Sequence, residues 1–209
     1  MVNERERTMQ IAVLGAGNIG GSIGEQWAQA GHTIRFGVRN PQKPEVQSLV
    51  KSLGGKASAA SIAEVLNGAE VVLLAIPGSV VADTIKANAQ ALDGKIVIDA
   101  TNNMRAAHFH ALDVLRAETP KASIYRAFNN YGWENFKNPG YNGEHADLFF
   151  CGTDGAARAT VEQLIREVGL EPAYLGGADQ GDTVDLVLKL WFPLTQSQGR
   201  HFGFKIVKS

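Results

Sequence analysis

The chain has 209 residues, 44% hydrophobic and 20% charged, one ordinary domain's worth of sequence with a globular rather than a disordered or disulfide-scaffold composition. Twenty Lys and Arg against 21 Asp and Glu give a formal charge of -1, which argues against a basic surface built for phosphate backbones and leaves nucleic acid and membrane as poor partners. The single cysteine, Cys151, closes no intrachain disulfide, and no apolar run reaches the roughly 20 residues that span a bilayer, so a cytoplasmic setting is expected.

Residues 1–8 are charged and aperiodic and read as a disordered leader. From Met9 onward, short apolar runs alternate with helical stretches. Strands are expected at Ile11–Leu14, Ile34–Phe36, Val71–Ala75, Ile96–Ile98, Ser123–Phe128 and Asp147–Cys151. Helices are expected at 18–30, with Ile19, Ile23, Trp27 and Ala30 on one face, and at 43–53 and 79–91. Thr153-Asp154 reads as an N-cap region before the periodic Ala157, Val161, Leu164, Ile165 and Val168, with Gly169 as a stop. After Gly176-Gly177, the apolar run from Val184 to Trp191 forms a helix bent or ended at Pro193, which lacks an amide donor. Such alternation predicts an α/β fold, a doubly wound and mostly parallel Rossmann sheet with a small C-terminal helical segment. The expected division is a dinucleotide-binding domain over 9–152 and a C-terminal extension over 153–209.

Gly15-Ala16-Gly17-Asn18-Ile19-Gly20 follows the first strand and opens the first helix. In that context the first glycine makes the tight turn, the second admits a pyrophosphate to the backbone, and the third lets helix and strand pack closely. The anion would sit on the free amides of the helix N-terminus. NAD sites place an acid about 20 residues further on, to bind the ribose 2′-hydroxyl. Here that place holds Gly37-Val38-Arg39-Asn40-Pro41-Gln42-Lys43, a guanidinium and an ammonium suited to a 2′-phosphate. The expected cofactor is NADP(H).

The glycine loop, the Gly37–Pro41 turn, Ala75-Ile76-Pro77, Cys151-Gly152-Thr153-Asp154 and the closing helix with Gly203-Phe204-Lys205 together resemble the NADPH-dependent oxidoreductases of the deazaflavin coenzyme F-420 family. The resemblance extends from Met9 over nearly the whole chain. More distantly, the chain is similar to the oxidoreductase domain of mammalian metalloreductases, through Ala127-Phe128-Asn129. The resemblance implies that Arg39 and Lys43 hold the 2′-phosphate and that Ile76 and Pro77 line the far half of the cofactor. It also implies that Thr101, Asn102, Asn129 and Asn130 form the nicotinamide and acceptor pocket. Val38 stands where the family often has serine, and Asn129 where the archaeal deazaflavin enzymes carry histidine.

Only 58 residues follow Cys151, too few to wall in a small metabolite, so a planar acceptor (F-420, FMN or FAD) fits better, completed by the Asn129–Ala146 loop and the Asp182–Gly203 segment. Hydride transfer between two rings needs orientation and dryness more than an acid or base, and Asn102 and Asn129 are the residues expected to orient the pair. A non-catalytic NADP(H)-binding sensor is the alternative. A small-substrate imine or ketone reductase is a third, which would need a general acid that the sequence does not reveal. The spacing of His108 and His110 suits neither a helical metal pair nor a zincin motif, so no metal is expected. Cys151 reads as a buried small hydrophobe. Trp191, Phe192 and Leu194 read as core or as the patch of a homodimer.

Overall fold

The computed structural model describes residues 7–207. The larger part of the expected leader, residues 1–6, lies outside them. Within them the chain builds one eight-stranded sheet in the order β3-β2-β1-β4-β5-β6-β7-β8.

The first half is a βα alternation. It runs β1 (Gln10–Leu14), α1 (Asn18–Ala30), β2 (Thr33–Gly37), α2 (Pro44–Ser52), β3 (Ala57–Ala60), α3 (Ile62–Leu66), β4 (Val71–Leu74), α4 (Gly78–Ala87), α5 (Ala89–Leu92) and β5 (Ile96–Asp99). All of these strands pair in parallel. In β1, Ile11 and Val13 belong to one apolar cluster and Ala12 and Leu14 to the other, which is how a strand covered on both faces reads as an unbroken apolar run. From α1, Ile23 and Trp27 are fully buried, and Trp27 Nε1 donates to the Leu164 carbonyl at 2.9 Å. Ala30, expected on the same face, is exposed at the helix end.

The second half departs from the alternation. α6 (Leu112–Glu118) precedes β6 (Ser123–Arg126), then come α7 (Trp133–Lys137), β7 (Asp147–Gly152), α8 (Ala156–Glu167), β8 (Glu171–Tyr174) and, after a single 3-10 turn, α9 (Gly181–Gln198). β5 and β6 pair in parallel, but β6 and β7 are antiparallel and meet at only two positions, Tyr125↔Gly152 and Arg126↔Cys151. The chain re-enters from the 127–146 loop without a long crossover helix, so it comes back in the opposite direction.

Several boundaries differ from the sequence reading, each for a local reason. β6 stops at Arg126 rather than Phe128, because Phe128 sits at φ 62°, where a non-glycine residue cannot continue a strand. The helix expected over 79–91 is two, broken at Asn88, whose side chain bonds back to the Thr84 carbonyl at 2.8 Å. α9 does not end at Pro193 and runs on to Gln198. β3, α3, α6, β8 and α7, which lies within the expected Asn129–Ala146 loop, were not expected. β3 is Ala-Ser-Ala-Ala and lacks the β-branched residues that mark strands, and β8 holds Pro172, which an edge strand tolerates. Because β8 lies beyond residue 152, the C-terminal segment supplies the sheet's last strand.

Candidate functional site

The phosphate loop is built by absence of side chains. A Cβ on Gly15, which has φ 105°, would lie 2.4 Å from the Ala75 carbonyl oxygen, and one on Gly20 would lie 2.1 Å from the Gly15 carbonyl oxygen. Both glycines are therefore fixed by close approach of backbone to backbone. At Gly17 a Cβ would meet nothing within 4 Å, so what keeps that position bare is not the protein's own packing. Gly17 is also the N-cap of α1, with no side-chain cap bond and no acid in the first turn. The first-turn amides of Asn18 and Ile19 are thus left uncapped by side chains with a helix dipole behind them, a geometry that suits an anion. Asn18 is exposed, and Ala16 and Ile19 are half-buried beside it.

The end of β2 is tied to this loop by the Gly15 amide, which donates to the Gly37 carbonyl at 3.0 Å. Arg39 follows two residues later, exposed, and among the described residues its guanidinium makes no hydrogen bond or ion pair. Asn40 folds the turn, its Oδ1 accepting the Gln42 amide at 3.1 Å. The Lys43 ammonium lies 3.8 Å from Glu45. Ile76 is half-buried behind Gly15, and Pro77 is exposed as the N-cap of α4.

At the C-terminal ends of β5 and β6 the construction is the reverse. Arg126, fully buried, donates through Nε and Nη2 to Asp185 Oδ1 at 3.0 and 2.7 Å, and through Nη2 to Asn102 Oδ1 at 2.8 Å. Its Nη1 donates to the Thr101 carbonyl and stands 3.3 Å from Asp99 Oδ2. Asp99 in turn accepts the Thr101 amide and hydroxyl and the Ala111 amide. Asn102 and Asn129 meet here, Asn102 Nδ2 donating to the Asn129 carbonyl at 3.0 Å, while Asn129 Nδ2 donates to Asp185 Oδ1 at 2.9 Å. Asn130 donates to the Phe149 carbonyl at 2.9 Å. Thr101 is buried with its hydroxyl committed to Asp99, so it braces the site from behind.

One guanidinium faces two carboxylates, and burial pushes the Asp185 carboxyl above its ordinary range despite the attraction of Arg126. Asp185 Oδ2, Asn129 Oδ1 and Asn130 Oδ1 are buried without a hydrogen-bond partner among the described residues. Phe128, immediately before Asn129, holds its φ of 62° while buried against Trp27 and Phe136. Such backbone strain is kept only where surrounding packing enforces it.

Arg126, Asp99 and Asp185 were missed by the sequence reading. The available signal was a charge at the end of each of two otherwise apolar parallel strands, and an acid inside an apolar helix. Cys151 is fully buried and burial pushes its thiol up to about 12, the behaviour of an inert small hydrophobe. Trp191 is buried, whereas Phe192 is exposed and Leu194 half-buried. No helix among the described residues is long and apolar enough to cross a membrane.

Residues 10–103 match the family described as NADP oxidoreductase, coenzyme F420-dependent. A proposed F420-dependent NADP reductase from Arthrobacter sp. FB24 is 26% identical, with TM-score 0.85, over 96% of this chain and 100% of that one. A hypothetical protein from Sinorhizobium meliloti is also 26% identical, with TM-score 0.68, over 98% of this chain and 95% of that one. A reductive aminase from Aspergillus terreus, 20% identical with TM-score 0.67, covers 90% of this chain and 61% of that one and shares the fold. Among curated relatives, a glycerol-3-phosphate dehydrogenase [NAD(P)+] of Pseudomonas fluorescens is 28% identical over 125 residues, 54% of this chain. This chain spans only about a third of that relative, 35% of its length. Over residues 10–103, the chain is thus similar to the coenzyme F420-dependent NADP oxidoreductases, and its sheet is Rossmann-like.

Proposed function

We propose that the chain binds NADP(H) and exchanges hydride between it and a planar acceptor, the deazaflavin F-420 or a flavin such as FMN or FAD. The observation that carries the cofactor half is the exposed Arg39 guanidinium, unpaired among the described residues, at the end of the strand hydrogen-bonded to the phosphate loop, with no acid in its place. The match of the full-length Arthrobacter relative supports the acceptor half.

When bound, the nicotinamide supplies the hydride, and the chain's own task is to hold and orient. The α1 amides take the pyrophosphate, and Arg39, with Lys43 nearby, takes the 2′-phosphate. Asn102 and Asn129 are locked by Arg126 and Asp185. They can therefore present an amide face without paying reorganisation at the moment of transfer. Asn129 Oδ1, left without a partner, is the acceptor available to a carboxamide N–H.

One observation favours a second reading, reduction of a small imine or carbonyl. Asp185 is a carboxyl held toward its protonated form beside Asn129, the proton source that such chemistry requires. The two readings separate in one assay: NADPH oxidation with F-420, FMN and FAD in turn, then with a cyclic imine. Turnover of a planar acceptor by both wild type and Asp185→Asn supports hydride transfer alone. Imine turnover lost in Asp185→Asn supports the second reading, and tight NADPH binding with no turnover supports a sensor. The exposed Leu186 and Leu190 on one face of α9 support a homodimer, which a monomer mass in sedimentation at micromolar concentration would refute.

A further inference from the structure

His108 and His110 stand on the loop between β5 and α6, and Asp182 lies in the first turn of α9. We propose that these three residues bind one divalent transition-metal ion of the zinc type. It is the one group of three or more His, Cys, Asp or Glu found close enough for an ion among the described residues, with ligand atoms all within 4.8 Å of one another.

The geometry is assembled, not incidental. His108 Nδ1 lies 2.8 and 2.9 Å from the two Asp182 oxygens, and His110 Nε2 lies 3.4 Å from Oδ1. Tetrahedral zinc, with bonds of about 2.0–2.2 Å to nitrogen and oxygen, sets its ligand atoms roughly 3.3–3.6 Å apart; the His110 separation already fits, and the His108–Asp182 pair, now at hydrogen-bond distance, would open by about half an ångström to admit the ion. The two imidazoles stack with centroids 5.3 Å apart and planes 24° apart, so their nitrogens converge on the carboxylate from one side.

The loop carrying them is fixed at both ends, by the Asn103 amide on the Phe109 carbonyl and the Ala111 amide on Asp99. Gly181 leaves room for the His110 ring, since a Cβ there would lie 2.7 Å from Nε2. Coordination through Nε2 puts the His110 proton on Nδ1 and gives up the Leu112 amide bond, which is long at 3.3 Å. Two imidazoles and one carboxylate are a borderline donor set, suited to zinc, cobalt or nickel rather than calcium or magnesium. Three protein ligands leave coordination positions for water or an oxygen of an incoming molecule.

Asp182 and Asp185 stand three residues apart on α9, so the ion would sit one helical turn from the carboxylate that holds Asn129. It would pin the 103–111 loop to α9. This assignment does not depend on which acceptor the protein uses.

Titrating tag-free, chelator-stripped protein with zinc by calorimetry, and with cobalt by visible absorption, tests it. One equivalent is expected to bind, with a tetrahedral cobalt spectrum. His108→Ala and Asp182→Asn should each weaken zinc about tenfold or more, with the far-ultraviolet circular dichroism and NADPH affinity unchanged. Zinc binding that survives intact in the His108→Ala/His110→Ala double variant, or an octahedral cobalt spectrum typical of scattered surface sites, would overturn the proposal.

Discussion

The two ends of the sheet's C-terminal edge solve the same problem with opposite materials. At the β1–β2 end, binding capacity comes from glycines and bare helix amides, with the charge of Arg39 held out in solvent. At the β5–β6 end, Arg126, Asp99 and Asp185 are all buried and spend their charges on one another. The first end is an empty receptacle whose ligand supplies the missing charge. The second pairs its charges internally and leaves an amide oxygen, Asn129 Oδ1, open among the described residues. A cofactor's phosphates need the first kind of surface, and ring orientation needs the second.

The comparison breaks most visibly at Arg126. Arg126→Met leaves two buried carboxylates facing an uncharged side chain, and the loss should be about 3–5 kcal/mol of stability in urea denaturation at neutral pH. A loss below about 1 kcal/mol would mean that the network is not the brace described. Arg39→Ala should behave oppositely, leaving stability alone while raising the NADPH Kd about ten- to hundredfold and leaving NADH unchanged, as expected for losing a charge-assisted phosphate contact.

Within the loop itself, Gly20→Ala should cost about 1–3 kcal/mol through overpacking against the Gly15 carbonyl. Gly17→Ala, which meets only open space, should stay within about 0.5 kcal/mol in stability and yet weaken NADPH. The smallest effect belongs to Asp185. Its raised folded value means the native state keeps that proton longer than the unfolded chain, so its stabilising contribution is complete below the ordinary value of 3.8 and is lost as pH rises through the folded value. Denaturation midpoints should fall with rising pH just above that range in the wild type, and this component should vanish in Asp185→Asn.

The same contrast explains what the sequence discloses. The phosphate loop is contiguous, and each glycine is a local demand on a turn or helix start, so residues 15–20 and the missing acid near Arg39 are legible without a fold. The parallel half of the sheet is equally legible from its apolar runs. The buried network is not, because Asp99, Arg126 and Asp185 come from two strands and a late helix and meet only after β5, β6 and α9 are in place. Asn102 and Asn129 were reached through resemblance, and only the structure supplies what holds them. β8 and the antiparallel β6–β7 pairing escaped for a related reason: an edge strand with a proline and a two-position overlap leave almost no periodic trace.

Hydride transfer from bound NADPH to a planar acceptor can be followed with NADPH deuterated at one or the other face of the nicotinamide C4. With F-420, FMN or FAD present, the oxidised cofactor should lose its deuterium from one of the two labelled forms and keep it from the other. NADPH that binds tightly but is oxidised by none of the three acceptors would rule out hydride transfer to a planar ring.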